Sequence, residues 1–168
     1  MIEMAVIDSP VGPLTVATRD GRACVVAFGR QAETEAAVAR WSPGEPFRTV
    51  ADPGGVVSAL RRYFSGELDA LDAIPVELHG TPFQQRVWQR LRTVPAGETA
   101  SYSDIARAIG APSAVRAVGA ANGANPVAII VPCHRIVGSG GQLTGYGGGL
   151  DRKRWLLSHE SRDRILAF

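Results

Sequence analysis

Residues 116–135 read Arg-Ala-Val-Gly-Ala-Ala-Asn-Gly-Ala-Asn-Pro-Val-Ala-Ile-Ile-Val-Pro-Cys-His-Arg. The stretch changes character partway along. Its first part continues Ala114-Val115 into a helix made almost wholly of Ala, Gly and Val, with Arg116 as its one large polar side chain. Small residues let a helix backbone approach closely, either to another helix or to the groove of a duplex with Arg116 as the sole long probe. A single Arg can fill the gap that an extruded base leaves in the stack. The last part, Ile129-Ile130-Val131, reads as a buried, strand-like run in which Pro132 holds Val131 extended. It delivers Cys133, His134 and Arg135 together. A thiolate is the nucleophilic form of cysteine, and a neighbouring base or cation lowers its pKa. Consecutive side chains diverge in extended backbone, so His134 is expected to reach Cys133 through a turn or a bridging water. A structural cysteine ahead of a solvated basic pair is the other reading of the same run.

Upstream, the chain is well punctuated. Thr81-Pro82-Phe83-Gln84 is a capping box with proline at the first helical position, opening a helix to about Arg92. Pro95-Ala96-Gly97 breaks it. Ser101 with Asp104 opens a second helix, Tyr102 to Ile109, ended by Gly110, and Ser113 is expected to cap the third, which runs to about Ala121. Two short helices joined by a glycine-containing turn predict a helix-turn-helix. Downstream, seven of the twelve residues 138–149 are glycine, and no Gly-Lys-Ser/Thr follows, so this is not a P-loop. Bare backbone there could bond a base or phosphate, with Tyr146 covering a flat ligand; a merely flexible loop fits equally. A last helix, Asp151 to His159, opens with Arg152-Lys153-Arg154. Glu160 after it is either a plain helix-end acid or the orienter of a catalytic histidine.

The first 78 residues predict a small α+β unit. Met4–Asp8, Leu14–Thr18 and Ala23–Phe28 are apolar runs, and Asp20-Gly21 between the second and third is a strong hairpin signal. Helices are expected over 31–40 and 56–64, with a loop rich in Pro and Gly over 41–53. Cys24 sits among apolar neighbours as a small buried hydrophobe, and a zinc site would need more than Cys24 and His79 can supply.

At 168 residues the chain can build one good core or two small domains, and the reading divides it into 1–78 and 79–168. No apolar run reaches the length of a membrane span, and MIEMAVIDSP carries Glu3 and no basic segment before an apolar core, so no signal peptide is expected. Two cysteines, Cys24 and Cys133, make no disulfide framework, which implies a reduced, cytoplasmic setting without membrane attachment. Charge is uneven. Residues 1–78 hold 7 Arg against 11 Asp and Glu, a balance of −4, while residues 79–168 hold 10 Arg and 1 Lys against 5 acids, a balance of +6. Only the second half is suited to a polyanion.

Four pieces of the second half, in order, closely resemble the O6-alkylguanine-DNA alkyltransferases (methylated-DNA–protein-cysteine methyltransferases). They are GTPFQQRVW (80–88), PAGETASYSDIA (95–106), RAVGAANGANPVAIIVPCHR (116–135) and TGYGGGLDRKRWLLSHE (144–160). DSPVGPLTV (8–16) is similar to the variable first domain of that family. Ile136 stands where valine is more usual, a one-methylene change. The resemblance implies an α+β fold: a small ribonuclease-H-like N-terminal domain with an antiparallel sheet, then a helical C-terminal domain with a winged helix-turn-helix.

It also implies roles by position. Cys133 is similar to the alkyl acceptor, His134 to its base acting through water, and Glu160 to the acid that orients the histidine. Asn125 resembles the asparagine bracing the active-site turn. Tyr102 resembles the tyrosine that crowds a phosphate and donates to the flipped guanine, and Arg116 the finger replacing that base. DNA contacts are implied at Ser101, Tyr102, Ser113, Arg116, Ala121, Asn122, Gly123 and Arg135. Contacts to the base are implied at Val131, Tyr146, Gly147, Gly148 and Lys153. The implied partner is double-stranded DNA carrying alkylated guanine, met by a monomer that needs no cofactor and no metal. Two other classes weigh against this: a winged-helix regulator whose Cys133 senses redox or alkylation state, and a papain-like cysteine hydrolase. The first requires polar side chains reading bases from Ala114–Ala121, which are nearly absent; the second leaves the Arg116 helix without a purpose.

Overall fold

The computed structural model describes residues 1–161, which form two compact units. The first comprises Met1–His79 together with Pro126–Ile130. Its sheet holds β1 (Ile2–Ile7), β2 (Leu14–Arg19), β3 (Arg22–Phe28) and β4 (Phe47–Thr49) in the order β3-β2-β1-β4. β1, β2 and β3 are the antiparallel meander that the apolar runs predict. Asp20 and Gly21 both take positive φ (51° and 77°), the backbone of a two-residue hairpin whose turn matches the strand twist. β4 corrects the loop expectation for 41–53: three residues there pair parallel to β1, Ile2 opposite Phe47. α1 (Gln31–Trp41) buries Thr34 and Val38, and Val38 closes a core of Ile2, Met4, Ala17, Cys24 and Val25. α2 (Val56–Phe64) buries Val56, Val57, Ala59, Leu60 and Tyr63, its first turn capped by the Asp52 carboxylate. Cys24 is a core residue with Sγ toward the Ala17 carbonyl, while His79 stacks on Trp41 and bonds Glu77.

The free edge of β3 is covered by two single-residue bridges. The Ala23 amide donates to Pro75 and its carbonyl accepts from Glu77; Val26 does the same with Pro126 and Ala128. The second bridge, at Val127, lies just before the run Ile129–Val131 expected to be a strand. Val127–Val131 is fully buried, yet it turns: the Ile130 amide closes onto the Ala128 carbonyl, and Ile129 takes φ 70°. A β-branched residue at positive φ is uncommon and is held there only by its surroundings.

The second unit, Gly80–Asn125 with the described residues from Val131 on, holds α3 (Pro82–Leu91), β5 (Ala100–Ser101), α4 (Tyr102–Ala108), α5 (Val115–Gly123), β6 (Ile136–Val137) and α6 (Leu150–Glu160). Both expected capping boxes form, Thr81 with Gln84 and Ser101 with Asp104. Val87, Trp88 and Leu91 bury α3, and Trp88 Nε1 donates to the Ala121 carbonyl, tying α3 to α5. α4 and α5 are the two short helices expected of the second unit, joined by the turn over 109–114. The Ala111–Ala114 turn takes up the residues before α5, so Ser113 does not cap it: the cap position is Ala114, and no side chain closes the first turn. Among the described residues no helix is long and apolar enough to cross a membrane.

Candidate active site

Cys133 opens a single 3₁₀ turn, Cys133–Arg135, that β6 terminates. The bend follows from Pro132, which cannot donate, and from the Cys133 amide closing onto the Val131 carbonyl at 2.8 Å. Two asparagines grip this turn, Asn122 in the last turn of α5 and Asn125 just beyond it. Asn125 Nδ2 donates to the Val131 carbonyl at 2.8 Å and also faces the thiol, and Asn122 Nδ2 reaches the Cys133 carbonyl at 3.4 Å. The nucleophile's backbone is therefore positioned by the helix that carries Arg116.

Cys133 is 7% exposed. Burial pushes its thiol up, while the Asn125 amide and the Lys153 ammonium pull it back. His134 and Glu160 are almost wholly buried, with His134 Nε2 at 2.8 Å from Glu160 Oε2. Burial holds His134 below the usual histidine range against the pull of Glu160, so the imidazole rests neutral. Its Nδ1 is buried without a partner among the described residues. With Nε2–H fixed on the carboxylate, Nδ1 is the basic nitrogen. Burial disfavours the Glu160 carboxylate, but His134 and Arg135 outweigh it and hold the group well below the usual range.

Three further groups complete the site. Lys153 is fully buried; its Nζ donates to the carbonyls of Ile136 (2.5 Å) and Thr144 (3.2 Å), and burial lowers its pKa. Tyr102, the first residue of α4, shares a 2.7 Å bond with Thr144 Oγ1. The Tyr146 hydroxyl faces the Cys133 thiol, and burial raises its pKa. The glycine-rich loop carrying Tyr146 is built around Gln142, which accepts from the amides of Gly138 and Gly140.

Cys133, His134, Glu160, Asn125, Lys153 and Tyr146 thus meet in one place, with Tyr102 linked to the same loop through Thr144. Arg116, Ser113 and Gly123 are exposed, Ser101 and Gly148 half-buried, and Gly147 exposed. Three of the expected DNA contacts, Ala121, Asn122 and Arg135, are buried. Ala121 and Asn122 lie in the core, as does Val131, and Arg135 is buried with its guanidinium on Glu160 and the Val94 carbonyl. The pair formed by Asn122 with the Cys133 carbonyl, the Thr144 hydroxyl and the Arg135 fork were not anticipated from sequence. Their only signal is partner geometry across 11 to 42 residues. Among the described residues no group of three or more His, Cys, Asp or Glu converges as a metal site.

Residues 2–78 match the family model for the 6-O-methylguanine DNA methyltransferase ribonuclease-like domain, and residues 82–162 match the one for its DNA binding domain. The methylated-DNA–protein-cysteine methyltransferase of Mycobacterium bovis is 52% identical over 165 residues, spanning 95% of this chain and 93% of its own. That of Shigella flexneri is 52% identical over 112 residues, 67% and 66% of the two chains. Among solved structures, Mycobacterium tuberculosis O6-methylguanine methyltransferase superposes with a TM-score of 0.78 at 46% identity, covering 100% of this chain and 97% of the other. Mycobacterium tuberculosis OGT in complex with DNA gives 0.78 at 47% identity, covering 97% and 94%. Two domain models in series, relatives over nearly the whole chain, and a buried Cys-His-Glu array in the second unit place this chain in the 6-O-methylguanine DNA methyltransferase family.

Proposed function

We infer that the protein repairs DNA directly, moving the alkyl group from O6 of a damaged guanine onto Cys133 Sγ, once per molecule. The observation that carries this reading is the buried thiol beside His134, whose Nε2 is occupied by Glu160 and whose Nδ1 meets no partner among the described residues. Both partners rest neutral, so the thiol proton leaves as the attack proceeds: toward Nδ1 through one water, with Glu160 stabilising the imidazolium. The Sγ–C bond forms as the C–O6 bond breaks, and the bonding pair passes into the guanine ring. The proton returns to the departing guanine, which leaves neutral. A soft nucleophile displacing at carbon needs no metal. The thioether has no hydrolysable bond, so the cysteine is not regenerated.

Features of the second unit support extrusion of the base. Arg116 stands exposed near the uncapped start of α5, where open backbone amides favour phosphate. A weakened alkylguanine pair is easier to extrude, and Arg116 takes its place in the stack. Tyr102, its hydroxyl oriented by Thr144, is a donor for the charge that develops on the leaving base. Double-stranded DNA carrying alkylated guanine, met by a monomer, is the proposed substrate, with O4-alkylthymine as a second candidate of the same chemistry.

The test is intact-mass measurement and peptide mapping after mixing with a duplex containing O6-methylguanine. The expected result is one methyl per chain on Cys133 and none in Cys133→Ser. Binding without a mass gain would instead favour a regulator. Label on Cys24, whose thiol burial pushes up to about 12, would end the assignment of the nucleophile.

A further inference from the structure

Arg135 lies next to the nucleophile's base, yet it makes no approach to solvent: it is 5% exposed. Its guanidinium is spent on three bonds. Nε donates to Glu160 Oε1 at 2.8 Å, one terminal nitrogen to Glu160 Oε2 at 2.9 Å, and the other to the Val94 carbonyl at 2.7 Å. This is a planar fork matched to a planar carboxylate, and a single-point ammonium cannot reproduce it. Glu160 needs such a partner. It is the last residue of α6, where the helix dipole opposes an anion, and it is 1% exposed. The fork also decides which way the carboxylate faces: with Oε1 held by Nε, Oε2 is turned to His134 Nε2, 2.8 Å away.

We propose that Arg135 is a positioning residue of the alkyl-transfer relay: it holds Glu160 anionic and in plane, and by sharing Oε2 with His134 it limits how strongly the carboxylate pulls on the imidazole. This rests on the repair reading above and deepens it. An isolated Glu-His pair buried together would draw a proton onto the imidazole, and a charged imidazole cannot accept one from the thiol. A cation on the far side of the carboxylate takes up part of that pull. The charged and titratable groups around His134 are Glu160, Arg135 and Lys153, with Cys133 adjoining it in the chain and the Tyr146 hydroxyl facing that thiol. Of these, Glu160 favours the charged imidazole, while Arg135 and Lys153 oppose it.

The experiment is the single-turnover rate of methyl transfer from an O6-methylguanine duplex, against pH, in the wild type, Arg135→Gln and Arg135→Lys. Loss of the cation should lower the plateau rate of Arg135→Gln by about 10–100-fold, the usual cost of losing an outer support. It should also move the acid limb of the profile to higher pH, because a base relieved of a nearby cation holds its proton longer. Arg135→Lys keeps the charge without the fork, so its limb should lie between those of the other two while its plateau stays reduced. The salt dependence of DNA binding should match the wild type in both. A folded Arg135→Gln or Arg135→Lys whose limb does not move overturns the proposal, whether or not its rate falls. So does a changed salt dependence with normal transfer, which would make Arg135 a phosphate contact. If Arg135→Gln does not fold, Arg135→Lys decides alone. Absence of transfer in the wild type fails the repair reading itself and is distinguishable from all of these.

Discussion

Asn125 donates its side-chain amide to the carbonyl of Val131 at 2.8 Å, across the bend that presents Cys133. The same carbonyl accepts the Cys133 amide. Removing one of two donors leaves the acceptor satisfied, so Asn125→Ala should cost only about 1 kcal/mol of stability. The same amide also pulls the Cys133 thiol down, and that effect is lost. Methyl transfer should slow by roughly tenfold, more than the stability loss suggests. Denaturant unfolding alongside single-turnover rates separates the two effects; equal rates in both proteins would reduce Asn125 to a structural brace.

Glu160→Gln keeps the size and removes the charge. His134 loses the anion that stabilises its protonated form, so the apparent acidity of the Cys133 thiol should weaken and transfer near neutral pH should fall by about 10²-fold. Arg135 is left as a buried cation without its anion, and stability should drop by about 3 kcal/mol. Thiol reactivity against pH in the two folded proteins is the measurement. An unshifted titration with an unchanged rate would make Glu160 an ordinary acid at a helix end.

Arg116→Ala should slow repair of a duplex far more than transfer from free O6-methylguanine base, because only the duplex has a gap to fill. Arg116 is exposed and lies far along α5 from the asparagines that grip the nucleophile turn, so stability should change by less than about 0.5 kcal/mol. Comparable losses on both substrates would show that the residue supports the fold of α5 instead.

Stability should decline in acid earlier than carboxylates alone would cause. Burial holds folded His134 below its unfolded value of about 6.5, so the unfolded chain takes up the extra proton as pH falls through that value. Glu160 is depressed as well, and its contribution is lost as pH falls below about 4.3. Both effects have the same sign: stability is full above about pH 6.5 and is lost on acidification. Urea midpoints at pH 7 and pH 5 should differ in the wild type and differ less in His134→Gln. Identical differences would exclude His134 as the source.

Much of this was legible in short-range chemistry. Asp20-Gly21 announces its hairpin because both residues tolerate positive φ, and the pairs Thr81–Gln84 and Ser101–Asp104 announce helix starts because each satisfies two orphan donors. Cys133 and His134 could be singled out because a thiol beside a base carries its chemistry locally, whereas the choice between the two readings of Glu160 came only with the family resemblance. What the sequence hid depends on partners far along the chain. Phe47–Thr49 becomes a strand only because β1 offers an edge, as nothing in three residues behind Pro46 signals pairing. Ile129 and Ile130 look like strand residues, and tertiary packing forces them into a turn. Ser113 has a capping side chain but sits one residue too early. Nothing local marks Arg135, implied as a DNA contact, or Lys153, implied as a contact to the base, for burial; a carboxylate 25 residues away and two backbone carbonyls draw them inside.

The excursion of Pro126–Ile130 onto β3 has a consequence for anyone who would dissect the molecule. The chain leaves its first unit after His79, returns to it for five residues, and leaves again on the way to Cys133. Cutting at the linker near residue 79 therefore yields no self-sufficient halves. The amino-terminal fragment would keep the bridge at Ala23 but lose the one at Val26, leaving unpaired amide and carbonyl groups on a hydrophobic strand, a ready template for intermolecular pairing. The carboxy-terminal fragment would carry Val127, Ile129 and Ile130 uncovered, immediately before its nucleophile. Such truncations should aggregate when expressed singly and should gain solubility when the two pieces are produced together.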